Sequence, residues 1–296
     1  MRIALLSDVH ANFAALTVVE ADIAAHPVDA RWYLGDIVGY GPEPVECLRW
    51  LSERVHAVAP ESWVLGNHDA MLAGLLNDYD LAETNHTPLA AIELNRAALA
   101  GRPEEAFWRE QFGDDRPRPR RQTVHGAAYT LVHGARANDR YYHRYLFPWE
   151  ALYQVDEFAI LAADALATGR PQVQLFGHTH VPTLVGYYDG QPRPVWVEPD
   201  VAYELGDLAL VNPGSVGQPR DLDRRAAYAL LDTAARTVTF RRVAYDWRQT
   251  AFRLADGGYP DRLIERLMAA PLPTDGANLE WPIWRDHFLA LKGRAA

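Results

Sequence analysis

Short polar motifs recur along this chain, and each follows an apolar run that is typical of a buried strand. Each combines a carboxylate, amide or imidazole side chain with small or polar neighbours. The five motifs are Asp8 to His10, Gly35 and Asp36, Gly66 to Asp69, His133 and Gly134, and Gly177 to His180. In open α/β sheets the loops at the carboxyl ends of the strands form the ligand crevice. We therefore expect the motifs to meet at one edge of a sheet, although they are far apart in sequence.

The residue types in these motifs indicate a site for two divalent cations. The candidate ligands are Asp8, His10, Asp36, Asn67, His133, His178 and His180. Two cations held about 3.5–4 Å apart need a bridging carboxylate to reduce their repulsion, and Asp36 is the candidate bridge. Asp8 and His10 would share one ion with one histidine of the last motif. Asn67 and His133 would share the other ion with the second histidine of that motif.

Imidazole and oxygen ligands without thiolate suit manganese, iron or zinc. We expect two Mn²⁺ ions, with iron or zinc as alternatives. A hydroxide held between the ions is the expected nucleophile, because the ions lower its pKa towards neutrality and offset the charge of a phosphoryl group.

The first third of the chain alternates strands with helices. Strands are predicted at Ile3–Leu6, Trp32–Leu34 and Trp63–Leu65. Asn12 has the side chain of an N-cap and precedes a helical pattern, and Pro42–Glu53 is predicted as a second helix. Strand–helix–strand alternation favours parallel pairing in a layered α/β fold.

Later segments predict further strands and helices. The expected elements are a hairpin from Thr123 to Val132 around Gly126, a helix at Trp149–Thr168, a strand at Val173–Phe176, a hairpin of Leu184–Tyr188 and Val195–Val197 around Asp189 and Gly190, strands at Leu208–Val211, Tyr228–Leu231 and Thr237–Val243, and helices at Trp247–Ala255 and Asp261–Ala269. Two sheets covered on the outside by helices would satisfy this order. We predict one domain over residues 1–296, with a helical insertion at about 70–112 and C-terminal helices at about 247–296.

Composition limits the classes of function. The chain has 296 residues, 49% of them hydrophobic, and a formal net charge of −10. Such an acidic balance argues against a long nucleic acid as partner. No apolar run approaches the roughly 18–20 residues that span a bilayer, so no membrane association is expected. Cys47 is the single cysteine, which excludes an internal disulfide and fits a cytoplasmic location.

The complete set of motifs resembles the calcineurin-like metallophosphoesterase superfamily over about residues 1–243. Two further stretches resemble its branch of small bacterial phosphodiesterases: Gly35 to Pro42 and Asn212 to Asp221. The resemblance implies a four-layer α/β/β/α sandwich of two mixed sheets flanked by helices. It also implies that His180 joins Asp8, His10 and Asp36 at one metal ion, and that His178 joins Asn67, His133 and Asp36 at the other. His68 matches the residue that stabilises the transition state and protonates the leaving group.

One departure from the superfamily bears on the substrate. Phosphoprotein phosphatases follow the bridging aspartate with an Asp-Arg-Gly triplet, whereas this chain has Gly39, Tyr40 and Gly41. The carboxylate that orients the catalytic histidine is therefore missing, and so is an arginine that grips phosphate. A phosphoprotein is thus a less expected substrate, and what orients His68 stays open.

Other side chains are candidates for binding the substrate. Arg136, Arg140 and Arg220 could each pair with a phosphate, since a guanidinium group binds phosphate through two parallel hydrogen bonds. Tyr40 could stack on a nucleobase. Solvated surface arginines and a packed loop tyrosine are the alternative interpretations.

We therefore expect a metal-dependent hydrolase of small phosphoesters, either a phosphodiesterase or a phosphatase, acting on nucleotide-like or other small phosphates. The alternatives are a nuclease of the same fold, which would need a basic groove, and a catalytically inactive metal-binding scaffold for protein interaction. Inactive relatives lose metal ligands, and none is missing here. The sequence does not predict oligomeric partners.

Overall fold

The computed structural model of the protein describes residues 1–55, 63–75, 86–112, 121–124, 128–137, 144–148 and 151–268. In chain order its elements are β1 (Arg2–Leu6), α1 (Phe13–Ala25), β2 (Ala30–Tyr33), α2 (Pro44–Val55), α3 (Asn67–Ala73), α4 (His86–Leu99), α5 (Pro103–Phe112), β3 (Arg121–Val124), β4 (Tyr129–Val132), α6 (Ala151–Thr168), β5 (Gln172–Leu175), β6 (Thr183–Tyr188), β7 (Gln191–Val195), β8 (Ala202–Glu204), β9 (Leu208–Asn212), β10 (Ala226–Asp232), β11 (Thr237–Val243), α7 (Trp247–Asp256) and α8 (Asp261–Met268).

The strands form two mixed sheets, which pack against each other. The first has the order β2-β1-β10-β11-β8 and the second has the order β3-β4-β5-β9-β6-β7. Helices cover the outer face of each sheet, so the fold is the predicted four-layer α/β/β/α sandwich.

Strand β1 shows how the sequence builds these layers. Successive side chains of a strand point to opposite faces of the sheet. Ile3 and Leu5 pack between the two sheets, where they meet Leu131 and Leu175 of the second sheet. The alternate residue Leu6 packs under the helical layer instead. Because both faces of β1 are covered, the strand is apolar throughout rather than alternating.

Parallel pairing brings the polar motifs to one edge of the sandwich. In the first sheet Leu6 of β1 pairs with Tyr33 of β2, so Asp8 and Asp36 follow neighbouring strand ends. In the second sheet β4 pairs in parallel with β5 at Leu131. The predicted convergence of the motifs at strand ends is therefore confirmed for the described residues.

Two strand predictions need correction. The segment Trp63–Leu65 is not a full strand, because it forms a single parallel bridge from Trp63 to Tyr33. The second hairpin strand is β7, which begins at Gln191 and ends at Val195. Pro192 and Pro194 conceal this strand in the sequence, and they are tolerated because β7 is at the edge of its sheet.

Other expectations have a mixed outcome. Asn12 caps α1 as predicted, since its side chain accepts a hydrogen bond from the Ala15 amide at 3.1 Å. The predicted hairpin is present as β3 and β4, while Gly126 lies outside the described residues. Strand β8 was not predicted. The single-domain organisation over residues 1–296 remains a prediction.

The C-terminal helices pack close to the polar edge. Leu254 of α7 and Leu263 and Leu267 of α8 form a buried cluster with Tyr40. Ala91 of α4 joins the same cluster. The loop after β2 is therefore supported by helices from two distant parts of the chain. None of the described helices has both the length and the apolar character that crossing a bilayer requires.

Candidate metal centre

Most of the candidate ligands have an unusual backbone conformation. Five of the seven have positive φ: Asp8 (52°), His10 (49°), Asp36 (55°), His178 (67°) and His180 (60°). A residue with a side chain has a conformational energy roughly 1–2 kcal/mol higher in the left-handed region than in the right-handed one. It therefore stays in the left-handed region only where surrounding contacts hold it there. Backbone hydrogen bonds from the Asp8 amide to Gly35 and from the His10 amide to Asp36, each 3.0 Å long, impose it here.

Backbone carbonyl groups fix three of the imidazole rings. The Nδ1 atoms donate to carbonyl oxygens as follows: His10 to Val38 at 3.1 Å, His133 to Leu34 at 2.7 Å and His180 to Gln218 at 2.6 Å. A carbonyl oxygen only accepts, so each Nδ1 carries a proton, and each Nε2 presents a lone pair whenever its ring is neutral. The second nitrogen of each ring is thus prepared to bind a cation.

The ligand atoms converge from the separate motifs. Three groups have ligand atoms within 4.8 Å of one another: Asp8 with His10 and His180, His10 with Asp36 and His68, and Asp36 with His133 and His178. Asp36 and His10 each belong to two of these groups, and Asp36 is the carboxylate of the two. The Asn67 side-chain oxygen lies 3.1 Å from the Nε2 atom of His133.

Lone pairs that face one another show that this cluster fits cations. The Nε2 atoms of His10 and His180 are 3.0 Å apart. The buried Nε2 atom of His178 has no hydrogen-bond partner among the described residues. Buried acceptors without a donor are costly, and a divalent cation would satisfy them. The aspartate and histidine side chains of the cluster therefore fit a metal ion by chemistry and position.

The buried carboxylates and imidazoles shift one another's pKa values. Burial raises the pKa of Asp8, but the attraction of His180 and His133 outweighs it and lowers the value to about 2. Burial opposes protonation of His133, but Asp36 and Asp8 raise its pKa to about 9, so its Nε2 proton has to leave before a cation can bind there. Burial lowers the pKa values of His178 and His180. The carboxylates are thus ionised and ready to bind cations at neutral pH.

His68 lies at the rim of the cluster, packed among rings. Its ring centroid is 4.7 Å from that of His10 and 4.2 Å from that of Tyr40. Its amide donates to the Asp36 side chain at 2.8 Å. Gly39 is required beside it, because a Cβ atom at Gly39 would lie 2.2 Å from the His68 Nδ1 atom. Burial lowers the pKa of His68 to about 4, so the imidazole is neutral in the free protein.

Asp69 holds the backbone of the loop that carries Asp36, the candidate bridge. Its carboxylate accepts from the amides of Asp36 at 2.8 Å, Ile37 at 3.0 Å and Gly66 at 3.1 Å. It occupies the third position of α3, where it closes a capping box with Gly66. Its contacts are those of a residue that shapes the ligand loop.

Asn95 of α4 holds the loop that packs on His68, and sequence reasoning missed it. Its side chain accepts from the Gly39 amide at 2.9 Å and donates to the Gly41 carbonyl at 3.1 Å. It also donates to the Tyr259 hydroxyl at 3.0 Å. Asn95 is fully buried. Only its position on an amphipathic helix could have marked it, and that signal does not separate it from its neighbours.

Arg220 reaches over the cluster between two tyrosines. Its Nη2 atom lies 3.4 Å from the Tyr40 hydroxyl, and its side chain also hydrogen-bonds Tyr145. Tyr145 in turn stacks on His178 at 4.1 Å, and sequence reasoning missed it. The positive charge of Arg220 contributes to lowering the pKa values of His68 and His178. Arg220 and Tyr40 therefore lie beside the cluster, and their contact with a substrate stays a prediction.

Of the other two candidate arginines, the structure describes Arg136, which points away from the cluster towards Asp164. The Arg136 guanidinium pairs with Asp164 of α6 at 2.6 Å, and its amide donates to Glu157. This gives Arg136 a structural partner, so its predicted contact with substrate receives no support. Arg140 lies outside the described residues.

Comparisons with known proteins agree with this geometry. The chain matches the calcineurin-like phosphoesterase superfamily domain over residues 1–236. A relative, an uncharacterized protein of Methanocaldococcus jannaschii, is 28% identical over 269 residues, which cover 90% of this chain and 96% of that protein.

Solved structures share the fold. A metallophosphoesterase from Sphaerobacter thermophilus is 33% identical, with a TM-score of 0.68, and the match covers 91% of this chain and 100% of that one. A hypothetical protein from Pyrococcus horikoshii OT3 has a TM-score of 0.68 at 19% identity, and the match covers 90% of this chain and 97% of that one.

Proposed function

Because this chain belongs to the calcineurin-like phosphoesterase superfamily and is thus a phosphoric ester hydrolase, we propose that it hydrolyses small phosphoesters with the help of two divalent metal ions. The proposed substrates are nucleotide-like or other small phosphates, and the enzyme acts on them as a phosphodiesterase or phosphatase.

The position of Arg220 carries this proposal. Its guanidinium spans the cluster from Tyr40, beside His68, to Tyr145, beside His178. An arginine in this place can hold the phosphoryl oxygens of a compact substrate through two parallel hydrogen bonds. It thereby supplies the phosphate contact that Gly39, Tyr40 and Gly41 cannot supply.

The metal ions and the protein side chains divide the chemistry. Two ions, when bound, lower the pKa of a coordinated water and offset charge on the phosphoryl group. Arg220 orients the phosphoryl group, and Tyr40 and Gly39 limit the movement of His68 by packing against its ring. His68 holds the proton that the leaving oxygen needs, since a bound anion raises the pKa of a neighbouring imidazole.

The alternatives receive less support. A nuclease would need a basic groove, whereas the chain carries a net charge of −10. An inactive scaffold would not need all seven candidate ligands, which converge here. Manganese as the native metal and a cytoplasmic site of action remain part of the proposal.

Metal-depleted enzyme and enzyme reloaded with Mn²⁺ would test the function on bis(p-nitrophenyl) phosphate, p-nitrophenyl phosphate, a dinucleoside polyphosphate and a phosphopeptide. We expect turnover only after reloading, with a small ester as the best substrate. Full activity without metal, or a preference for the phosphopeptide, would contradict the proposal.

The Arg220→Met variant would test the phosphate contact directly. Loss of one charged hydrogen-bonding partner is worth about 1.5–3 kcal/mol, which lowers kcat/KM roughly 10- to 150-fold. Arg225→Met is the matched control, because Arg225 is an exposed arginine that pairs with Asp223 at 2.6 Å. Equal effects of the two substitutions would contradict the role of Arg220.

A further inference from the structure

We propose that Arg266 of α8, together with Arg220, forms a second anion-binding subsite beside the metal centre. The subsite would hold a phosphoryl group of the substrate other than the one under attack. This inference rests on the proposed function and narrows its substrate class to esters that carry a second phosphate, such as nucleoside polyphosphates.

Both guanidinium groups lie near one aromatic ring. The Arg266 Cζ atom lies 5.5 Å from the centre of the Tyr40 ring, and the Arg220 Cζ atom lies 5.9 Å from it. The same ring is 4.6 Å from His10 and 4.2 Å from His68, between centroids. A group bound by the two arginines would therefore lie next to the Tyr40 ring, which also packs against His10 and His68 at the metal centre.

Neither guanidinium group is neutralised within the described part of the chain. No carboxylate of the described residues comes within 4.0 Å of Arg220 or Arg266. Other arginines of the same region have acidic partners: Arg225 with Asp223, Arg241 with Asp22, Arg242 with Asp221 and Arg253 with Glu43. Arg220 and Arg266 are thus buried positive charges without a carboxylate partner among the described residues.

Both side chains also have a buried nitrogen donor that is not hydrogen-bonded within the described residues. The Nε atom of Arg220 and the Nη1 atom of Arg266 are buried and have no hydrogen-bond partner among the described residues. Burial lowers the pKa of Arg266, and the charges of Arg220 and Arg262 act in the same direction. Burying a charged donor without a partner is costly, and an anion between the arginines would remove that cost.

Phosphate is the anion that best suits this pair. Guanidinium groups match its oxygens through planar, paired hydrogen bonds. Tyr40 adds a hydroxyl that already lies 3.4 Å from Arg220. Helix α8 lies beyond residue 236, where the match to the superfamily domain ends, so the subsite is built partly from a segment outside that domain.

A purely structural role makes a different prediction. If Arg266 only stacks on Tyr40, its loss would disturb His68 and slow every substrate alike. If Arg266 binds a second phosphate, its loss would slow only substrates that carry one.

A matched pair of substrates separates these cases. Thymidine 5′-(p-nitrophenyl phosphate) is paired in turn with thymidine 5′-diphosphate p-nitrophenyl ester and with thymidine 3′-phosphate 5′-(p-nitrophenyl phosphate). In each pair the nucleoside and the leaving group are the same, and only the second phosphoryl group differs. For the Mn²⁺-loaded enzyme we expect Arg266→Met to lower kcat/KM at least tenfold on a substrate with two phosphates and less than threefold on the single-phosphate ester. Arg266→Lys should recover part of the loss, because it restores the charge.

Arg248→Met is the control, since Arg248 is exposed on the neighbouring helix α7. The melting temperature of each variant would confirm that it folds. Equal losses of kcat/KM on all substrates, or no loss on either two-phosphate substrate, would overturn the subsite. Failure of the wild-type enzyme to hydrolyse the single-phosphate ester would instead count against the proposed function itself.

Discussion

The Nε2 atoms of His10 and His180 lie 3.0 Å apart, although 170 positions separate the two residues in sequence. Each ring is held through its Nδ1 atom by a backbone carbonyl group. Neither Nε2 atom can donate to the other in this tautomer, so the contact is one between two lone pairs. A cation in the space that both lone pairs face would replace their repulsion with two coordinate bonds.

Asp36→Asn should lower metal occupancy more than Asn67→Ala. Asp36 belongs to two of the three ligand groups and carries a charge, whereas Asn67 contacts only His133 among the candidate ligands. The asparagine keeps the oxygen that accepts from the His68 amide and removes only the charge. Elemental analysis of both variants would measure the occupancy, and equal losses would remove the reason for naming Asp36 the bridge.

His68→Ala should retain both metal ions and lower kcat by roughly 10²–10⁴, the usual contribution of a general acid. The loss should shrink for esters with good leaving groups, because these depart without a proton. Steady-state kinetics on a series of aryl esters would measure this dependence. His26→Ala is the control, since His26 lies at the end of α1 away from the cluster. A loss independent of the leaving group would show that His68 is not the acid.

Gly39→Ala should reduce kcat at least tenfold, whereas Gly101→Ala should not. Both glycines have positive φ, 86° and 71°, so both alanines meet a similar backbone cost. Only the Gly39 variant places a Cβ atom against His68, and Gly101 has nothing within 4 Å. Comparing kcat with the melting temperature separates the two effects. If the two variants lose the same activity, the packing of Gly39 does not position His68.

Asn95→Ala should lower both stability and kcat while leaving the metal ions bound. The substitution leaves the Gly39 amide and the Gly41 carbonyl group buried without partners, at roughly 1–3 kcal/mol for each such group. Urea denaturation, kcat and metal content would be measured together. Tyr259→Phe is the control, because it removes a partner of Asn95 but leaves the loop contacts in place. A normal kcat in the Asn95 variant would show that the loop holds its shape without this side chain.

Asp22→Asn should destabilise the protein more at neutral pH than at pH 3. Burial raises the pKa of Asp22, but Arg241 and Tyr228 outweigh it and lower the value below 3.8. A lowered pKa contributes stability above the unfolded value, and this is lost as the pH falls through the folded value. We expect a loss of about 1–2 kcal/mol at pH 7, which charged hydrogen bonds typically contribute. Urea denaturation from pH 7 to pH 3 would measure it, with the exposed Asp189→Asn as the control, and a pH-independent difference would contradict the linkage.

The sequence predicted those parts of the site that follow from strand ends. A strand can be read from its apolar run, and parallel pairing then brings Asp8 and Asp36 together without further information. The capping of α1 by Asn12 is equally local and was confirmed. The left-handed backbone at the ligands was not predictable, because aspartate and histidine rarely adopt it and tertiary hydrogen bonds impose it.

The residues that sequence reasoning missed act across long separations. Asn95 reaches Gly39, 56 positions away, and Arg266 reaches Tyr40 from the opposite end of the chain. Neither residue lies in a motif, and their partners are set by how the helices pack on the sheets. Strand β7 was misplaced for a different reason, since its prolines are compatible with a strand only at a sheet edge.

The position of the ligands also has a mechanical consequence. Asp8 and Asp36 follow strands of the first sheet, whereas His133 and His178 follow strands of the second. Metal ions bound by the two aspartates and the two histidines would link the two sheets at one end. Such a link would be a reversible cross-link between segments that are distant along the chain. A ligand that binds only the folded chain stabilises it by about 2.7 kcal/mol at a concentration of 100 times its Kd. The ions would thus resist opening of the sandwich at that end, in addition to any part they take in hydrolysis.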